Sequence, residues 1–280
     1  MRVGTEGTGT ASSPADIARK RPNLTEILVS ILQHSLPALV FVALIGIWWA
    51  AGALFGAPAY LLPPPQDVLP RLVTSRVSLW NHSLVTLQEI VLGFALSIVT
   101  AIPMGLAIAL SPNTKRMLYP LLMFIQLVPK IAIAPLFVVW VGFGMTSKVL
   151  LTLLLTFFPL LLASIAGFQI LDPRLLYLTR SMGATLWQTF RYLRFPAALP
   201  VIFGGLKTSA TIAATAAIVA EFVGANKGLG YILLQATGTL DTTYVFAILF
   251  LLTIIGLALN TVVEIAEYFM TPWRRQLKTD

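Results

Sequence analysis

Few residues in this chain stand where side chains could do chemistry, and the most conspicuous is Lys130, which lies between Pro129 and Pro135 inside an apolar stretch. A lysine at the centre of a hydrocarbon layer costs roughly 2.5 to 3.5 kcal/mol, so it normally faces a wet cavity or a partner. Two readings stay open. Lys130 borders a route taken by an anion, or it is a structural lysine that pairs with a carboxylate or with carbonyls, or snorkels. Pro129 and Pro135 favour a broken helix without saying whether anything passes there. Glu89 and Glu221 each fall in or beside an apolar run and suit a structural pair or the wetting of an interface.

Other chemistries lack their residues. A phosphate-binding loop needs Gly, four residues, then Gly-Lys-Ser or Gly-Lys-Thr after a strand. The run Gly204, Gly205, Leu206, Lys207, Thr208 is only a near miss at the start of an apolar stretch, where paired glycines allow close helix packing. Gly224, Gly228 and Gly230 read as loop glycines and not as a dinucleotide fingerprint. With no cysteine there is no disulfide framework and no thiolate metal site, and the two histidines, His34 and His82, lie near predicted helix ends. No His-Glu-x-x-His and no paired intramembrane aspartates are available, so no catalytic residue, no metal and no cofactor is expected in this chain.

The elements that must position these residues follow from composition. The 280 residues are 57% hydrophobic and 11% charged, with a mean hydropathy of +0.85, which is outside the balance of a soluble domain. A hydrocarbon core of roughly 30 Å takes about 20 helical residues to cross. Six windows approach that length: 36–53, 84–110, 118–141, 149–168, 199–220 and 245–268. The expected fold is all-α, with about six transmembrane helices, the third interrupted by prolines 120, 129 and 135. A polar N-terminal segment, 1–35, precedes a membrane domain, 36–270, and a tail, 271–280. That first segment is too long and too polar for a signal peptide, so the chain is expected to remain uncleaved.

Charge sets the expected orientation. With the N-terminus in the cytoplasm, the inside receives Arg2, Arg19, Lys20, Arg21, Lys115, Arg116, Arg174, Arg180, Arg191, Arg194, Arg274, Arg275 and Lys278. The outside receives only Arg71, Arg76, Lys148 and Lys227, while Lys130 and Lys207 fall within spans. Basic residues concentrate on the cytoplasmic side of membrane proteins, so both termini are placed there. The net charge of +8 is then topological, and nucleic acid is not an expected partner. Glu264 and Glu267 are expected to face headgroups or Arg274 and Arg275. The outer stretch 58–81, with a short helix over 66–79, and the Gly-rich outer stretch 221–243 offer surfaces to an extracytoplasmic partner.

Between the fourth and fifth spans, residues 169–198 are long enough to hold their own structure. Asp172 before Pro173 is an N-cap signal, and Thr185 with Gln188 is a capping-box pattern, with Gly183 at the turn between them. The expected unit is a helical hairpin whose second helix, 186–193, carries Leu186, Trp187, Phe190 and Leu193 at helical spacing beside Arg191 and Arg194. Such a face fits a groove on a partner protein, or lies on anionic lipid.

Gly183, nine residues, then Leu193, Arg194, Phe195 and Pro196 resemble the EAA motif of ABC importer permeases. Tyr177, Leu178 and Thr179 stand where that family has Glu-Ala-Ala, so the first third of the motif is missing. The likeness runs over about 61–273. It takes in the Leu-Pro-Pro-Pro-Gln-Asp-Val run, the stretch Pro129 to Gly144, the Ala-Glu-Phe-Val-Gly-Ala-Asn-Lys-Gly-Leu-Gly run, and Thr271, Pro272 and Trp273. These are similar to the nitrate, taurine and alkanesulfonate permease group.

The resemblance implies a type I importer bundle in a bacterial inner membrane, forming a homodimer. Its coupling hairpins would dock in cytoplasmic ATPase subunits that hydrolyse ATP, and an extracytoplasmic binding protein would deliver the solute. Leu186, Trp187 and Phe190 would be the anchors, Gly183 the turn, and Arg191 or Arg194 the partners of acidic groups, with Pro196 closing the motif. The solute implied is a small anion of the nitrate, sulfonate or taurine kind, or a pyrimidine thiamine precursor. A self-sufficient secondary transporter would place several charges at the midplane and often repeat itself internally; only Lys130 stands there.

Overall fold

The structure, a computed structural model, describes residues 24–56, 58 and 60–273. Arg2, Arg19, Lys20, Arg21, Arg274, Arg275 and Lys278 lie outside those residues, as does most of the 271–280 tail. The described residues are helical, with no strand among them. The chain divides into two units, Met1–Ala57 and Pro58–Asp280. The first contains a single helix, α1 (Leu24–Phe55), whose apolar stretch is Leu39–Leu54.

The second unit begins with α2 (Pro65–Thr74) and α3 (Arg76–Leu110), separated at Ser75. The expected outer helix 66–79 is thus shared between two elements, and the second span starts earlier than its apolar window. Then come α4 (Pro112–Leu127), a 3₁₀ turn (Lys130–Ile133) and α5 (Ala134–Val141). They cover the window of the expected third span and are bent by 79° at the break. Pro120 sits within α4 without ending it; Pro129 N-caps the 3₁₀ turn and Pro135 occupies the first turn of α5. Proline has no N–H to give, so it is tolerated at a helix start and breaks a ladder elsewhere.

After α6 (Met145–Gln169) the chain forms α7 (Pro173–Ser181), α8 (Leu186–Thr189), a π-helical turn (Phe190–Arg194) and α9 (Phe195–Gly224). It ends with α10 (Leu229–Gly238) and α11 (Thr242–Met270). Among the described residues, four helices are long and apolar enough to cross a membrane: Arg76–Leu110, Met145–Gln169, Leu186–Gly224 and Thr242–Met270. The bent pair makes a fifth if counted as one span. All six expected windows fall on helices.

The second hairpin helix and the fifth span were expected as separate elements, but they are one rod of 39 residues. Pro196 and Pro200 cannot donate to the carbonyls one turn back. The chain accommodates this by widening: Phe195 N–H reaches Phe190 O in a π-type bond and the helix continues. The rod α9 packs against α6, and α6 against α3, through small residues. A Cβ on Gly93 would come 2.6 Å from Thr152, and one on Gly105 would come 2.5 Å from Ser164. In a membrane, where lipid is as apolar as leucine, such close backbone approach supplies the helix–helix attraction. Ser209 Oγ also donates to Thr156 O across the α9/α6 seam at 2.9 Å.

Candidate functional site

The hairpin is built as its caps dictate. Asp172 accepts from Arg174 N at 2.8 Å, ahead of Pro173. Thr185 Oγ1 accepts from Gln188 N at 3.2 Å while Gln188 Oε1 accepts from Thr185 N at 2.8 Å, a complete capping box. Between them Gly183 has φ +78°, a left-handed conformation that favours glycine. Thr179 O and Arg180 O accept from Ala184 N and Gly183 N, closing the turn.

The expected anchors differ in exposure. Leu186 is 78% exposed and Trp187 65%. Phe190 instead turns inward, stacked beneath Trp187 at 5.7 Å and packed between Phe168 and Phe195 at 6.3 and 5.9 Å. Arg191 is exposed, whereas Arg194 is half-buried and lines a cavity behind the hairpin; Pro196 is half-buried in the rod. Met182 and Tyr192, exposed at the hairpin tip and on the rod, were not singled out from sequence. Only knowledge of where the rod's buried side lies distinguishes them.

Pro129, Lys130 and Pro135 lie together at the break between α4 and α5. Lys130 Nζ donates to Gln126 O at 2.8 Å and sits 4.8 Å above the ring of buried Phe158. The ammonium is therefore held by a carbonyl and an aromatic face, with no carboxylate within ion-pair reach among the described residues.

The two acids singled out from sequence meet at the end of the bundle far from the hairpin, together with a lysine expected in an outer loop. Lys148, on the first turn of α6, is buried and bonds Glu89 of α3 at 2.8 Å. Glu221, near the end of α9, accepts from Thr86 Oγ1 at 2.6 Å and from the backbone N–H groups of Gly230 and Tyr231. Thr86 Oγ1 accepts from Leu229 N at 2.8 Å, and His82 Nδ1 accepts from Gly228 N at 2.9 Å. The first N–H groups of α10 thus find side-chain partners on α3 and α9, which satisfies donors that a helix start leaves open. Gly228 has φ +120°, and the Glu221 carboxylate fills the place a Cβ would take. The 221–243 stretch is consequently a packed element and not a loose loop: Leu229, Ile232 and Leu233 are buried against Leu79, Ile248 and Leu252.

Three further charged contacts join distant helices. Lys207, placed within a span, pairs with Glu267 at 2.6 Å and reaches Glu264 at 3.9 Å. Glu264 and Glu267 were expected to face headgroups or Arg274 and Arg275, and those two arginines lie outside the described residues. One helical turn apart on α11, the two acids face α9, whose lysine needs a counter-charge. Arg71, placed on the outside, bonds Asp241 at 2.5 Å and covers the Tyr244 ring at 4.9 Å, tying α2 to the start of α11.

Residues 97–276 match the model of a family described as the binding-protein-dependent transport system inner membrane component. The chain is 37% identical to the formylaminopyrimidine transport permease protein of Halalkalibacterium halodurans, over 86% of this chain and 96% of that one. It is 36% identical to the riboflavin transport system permease protein of Chloroflexus aurantiacus, over 87% and 93%. The taurine transport system permease protein of Escherichia coli is 30% identical, over 88% and 92%. Among solved structures, a chain of the inward-facing MetNI methionine ABC transporter superposes with a TM-score of 0.54 at 20% identity, covering 70% of this chain and 97% of that chain. That likeness extends to the fold alone.

Proposed function

This chain belongs to the family of binding-protein-dependent transport system inner membrane components, a membrane permease subunit of an ABC importer, and from that premise we propose how its parts share the work. The hairpin 169–198 receives force from a cytoplasmic ATPase, which carries the nucleotide chemistry; this chain supplies none. The observation that supports this is the unbroken rod Leu186–Gly224. At 1.5 Å rise per residue it is about 58 Å long, more than the hydrocarbon thickness. A push at its hairpin end therefore reaches the opposite end as rigid-body motion, without a soft joint to absorb it.

Leu186, Trp187, Met182 and Tyr192 form the docking face, with Gly183 holding the turn and Arg191 offering charge to acidic groups on the ATPase. Phe190 and Pro196 act within the chain: Phe190 seats the rod's end against Phe168, and Pro196 imposes the π turn. Two permease copies associate, with both termini in the cytoplasm, and a binding protein delivers the solute to the far end. Pro129 and Pro135 hold the break that presents Lys130 to the translocation route. The solute is a small anion of the sulfonate or taurine kind, in keeping with the taurine relative and the cation at the break. The formylaminopyrimidine relative favours a second reading, a pyrimidine thiamine precursor. Identifying the ligand retained by the purified binding protein decides between them.

The coupling role is tested by replacing Leu186 and Trp187 with Asp in the permease–ATPase complex in proteoliposomes. Uptake falls by about thirtyfold, the effect of losing a ~2 kcal/mol hot spot, while membrane insertion is unchanged. Uptake at the unaltered rate would sink the docking role.

A further inference from the structure

Behind the hairpin lies a cavity of about 480 Å³, bounded by the last turns of α3 at Leu106 and Leu110 and by Trp187 and Phe190. Arg180 and Arg194 line the same cavity. Neither arginine makes an ion pair with a described residue. The lining is mostly apolar, so water filling this volume would lack hydrogen-bond partners. A bare inorganic anion would leave much of its hydration shell facing leucine. An occupant suited to both parts has an apolar body and an anionic head.

The chain's own ends do not provide it, because Arg19, Lys20, Arg21, Arg274 and Arg275 would bring like charge to the two arginines. A second copy presents the same arginines in turn. The bilayer does provide it: α3 ends at Leu110 and the chain continues through Ser111 to Lys115 and Arg116, the change from apolar to basic sequence expected where acyl chains give way to headgroups.

We propose that this cavity seats an anionic phospholipid, its phosphate between Arg180 and Arg194 and an acyl chain along Leu106, Leu110 and Phe190, so that the lipid props the hairpin against the end of α3. Basic pockets at membrane-helix ends gain about 1 kcal/mol per arginine from anionic lipid, or roughly fivefold in affinity each. The cavity shares Leu186 and Trp187 with the proposed docking face, so the lipid seat is tested on the permease without its ATPase, where failure of one proposal is distinguishable from failure of the other.

The test uses the intact permease alone in phosphatidylcholine nanodiscs doped with brominated-acyl phosphatidylglycerol or brominated-acyl phosphatidylcholine. The chain has six tryptophans, so the Trp187 signal is taken as the difference between the native protein and Trp187→Phe. Phosphatidylglycerol quenches Trp187 at a mole fraction roughly 25-fold lower than phosphatidylcholine. Arg180→Gln and Arg194→Gln each remove about fivefold of that preference, the double Lys variant keeps most of it, and Arg174→Gln, outside the cavity, leaves it unchanged. Equal quenching by the two lipids, or a preference that survives loss of both arginines, overturns the proposal. So does a Trp187 shielded from both lipids and from acrylamide, which would mark a second copy in the seat.

Discussion

Glu89 and Lys148 are 2.8 Å apart with almost no solvent at either side chain, and this pair sets the largest single-residue effect to be expected. Removing one member strands the other's charge, which costs about 3–5 kcal/mol, whereas exchanging both for apolar groups often costs far less. Lys148→Met therefore lowers the thermal unfolding midpoint in detergent markedly, and Lys148→Met combined with Glu89→Leu recovers much of the loss. A double variant as unstable as the single one would contradict that account. Lys130 belongs to the same scale. If it meets the solute, Lys130→Ala weakens half-saturation of uptake by roughly tenfold, as loss of a charge-assisted hydrogen bond does. Normal uptake across solute concentrations would return Lys130 to a structural role held by Gln126 and Phe158. Glu89 was legible as an unusual acid, and the stripe Thr86, Gly93, Ser97, Ala101 and Gly105 marks its face of α3 as buried. Nothing local marks Lys148 as its partner, because the two are 59 positions apart.

At the scale of elements, the proposed coupling uses the rod from Leu186 to Gly224 as a lever, and in that proposal the π turn before Pro196 sets the direction of the docking face. One residue inserted between Thr189 and Phe190 would rotate that face by about 100° relative to α9. The expected outcome is loss of ATPase-driven uptake with unchanged yield of folded protein; full transport in the insertion variant would mean that the face's direction is immaterial. The caps at Asp172 and Thr185 and the break at Pro129 were readable locally, because each rests on hydrogen bonds within a few residues. The continuity of the rod was not. Pro196 and Pro200 suggest interruption, and only the bond from Phe195 N–H to Phe190 O shows that the helix runs on.

At the scale of the whole molecule, the polar contacts sort into two ends. Lys115 bonds Gln169 at 3.0 Å at the hairpin end, while Glu89, Lys148 and Glu221 gather at the other. The excess of arginine and lysine on the hairpin side is the reason for proposing that it lies in the cytoplasm. The absence of cysteine makes this easy to check. In whole cells, Asn226→Cys should react with an impermeant maleimide, and Met182→Cys should react only after the membrane is opened. The reverse pattern would invert the topology and remove the ATPase from reach of the hairpin.

The sequence by itself determined the solvent, the helical class, the apolar windows, the hairpin with its caps and the family likeness, since each depends on composition or on residues close together in the chain. The tertiary structure alone decided which hairpin residues face outward, that α10 is pinned by Glu221 and Thr86, and that Lys148 and Lys207 are paired. Those facts depend on which faces of distant helices meet. In this bundle that is governed by where small residues such as Gly93 and Gly105 let backbones approach, and a linear pattern does not specify which helix will fill the gap.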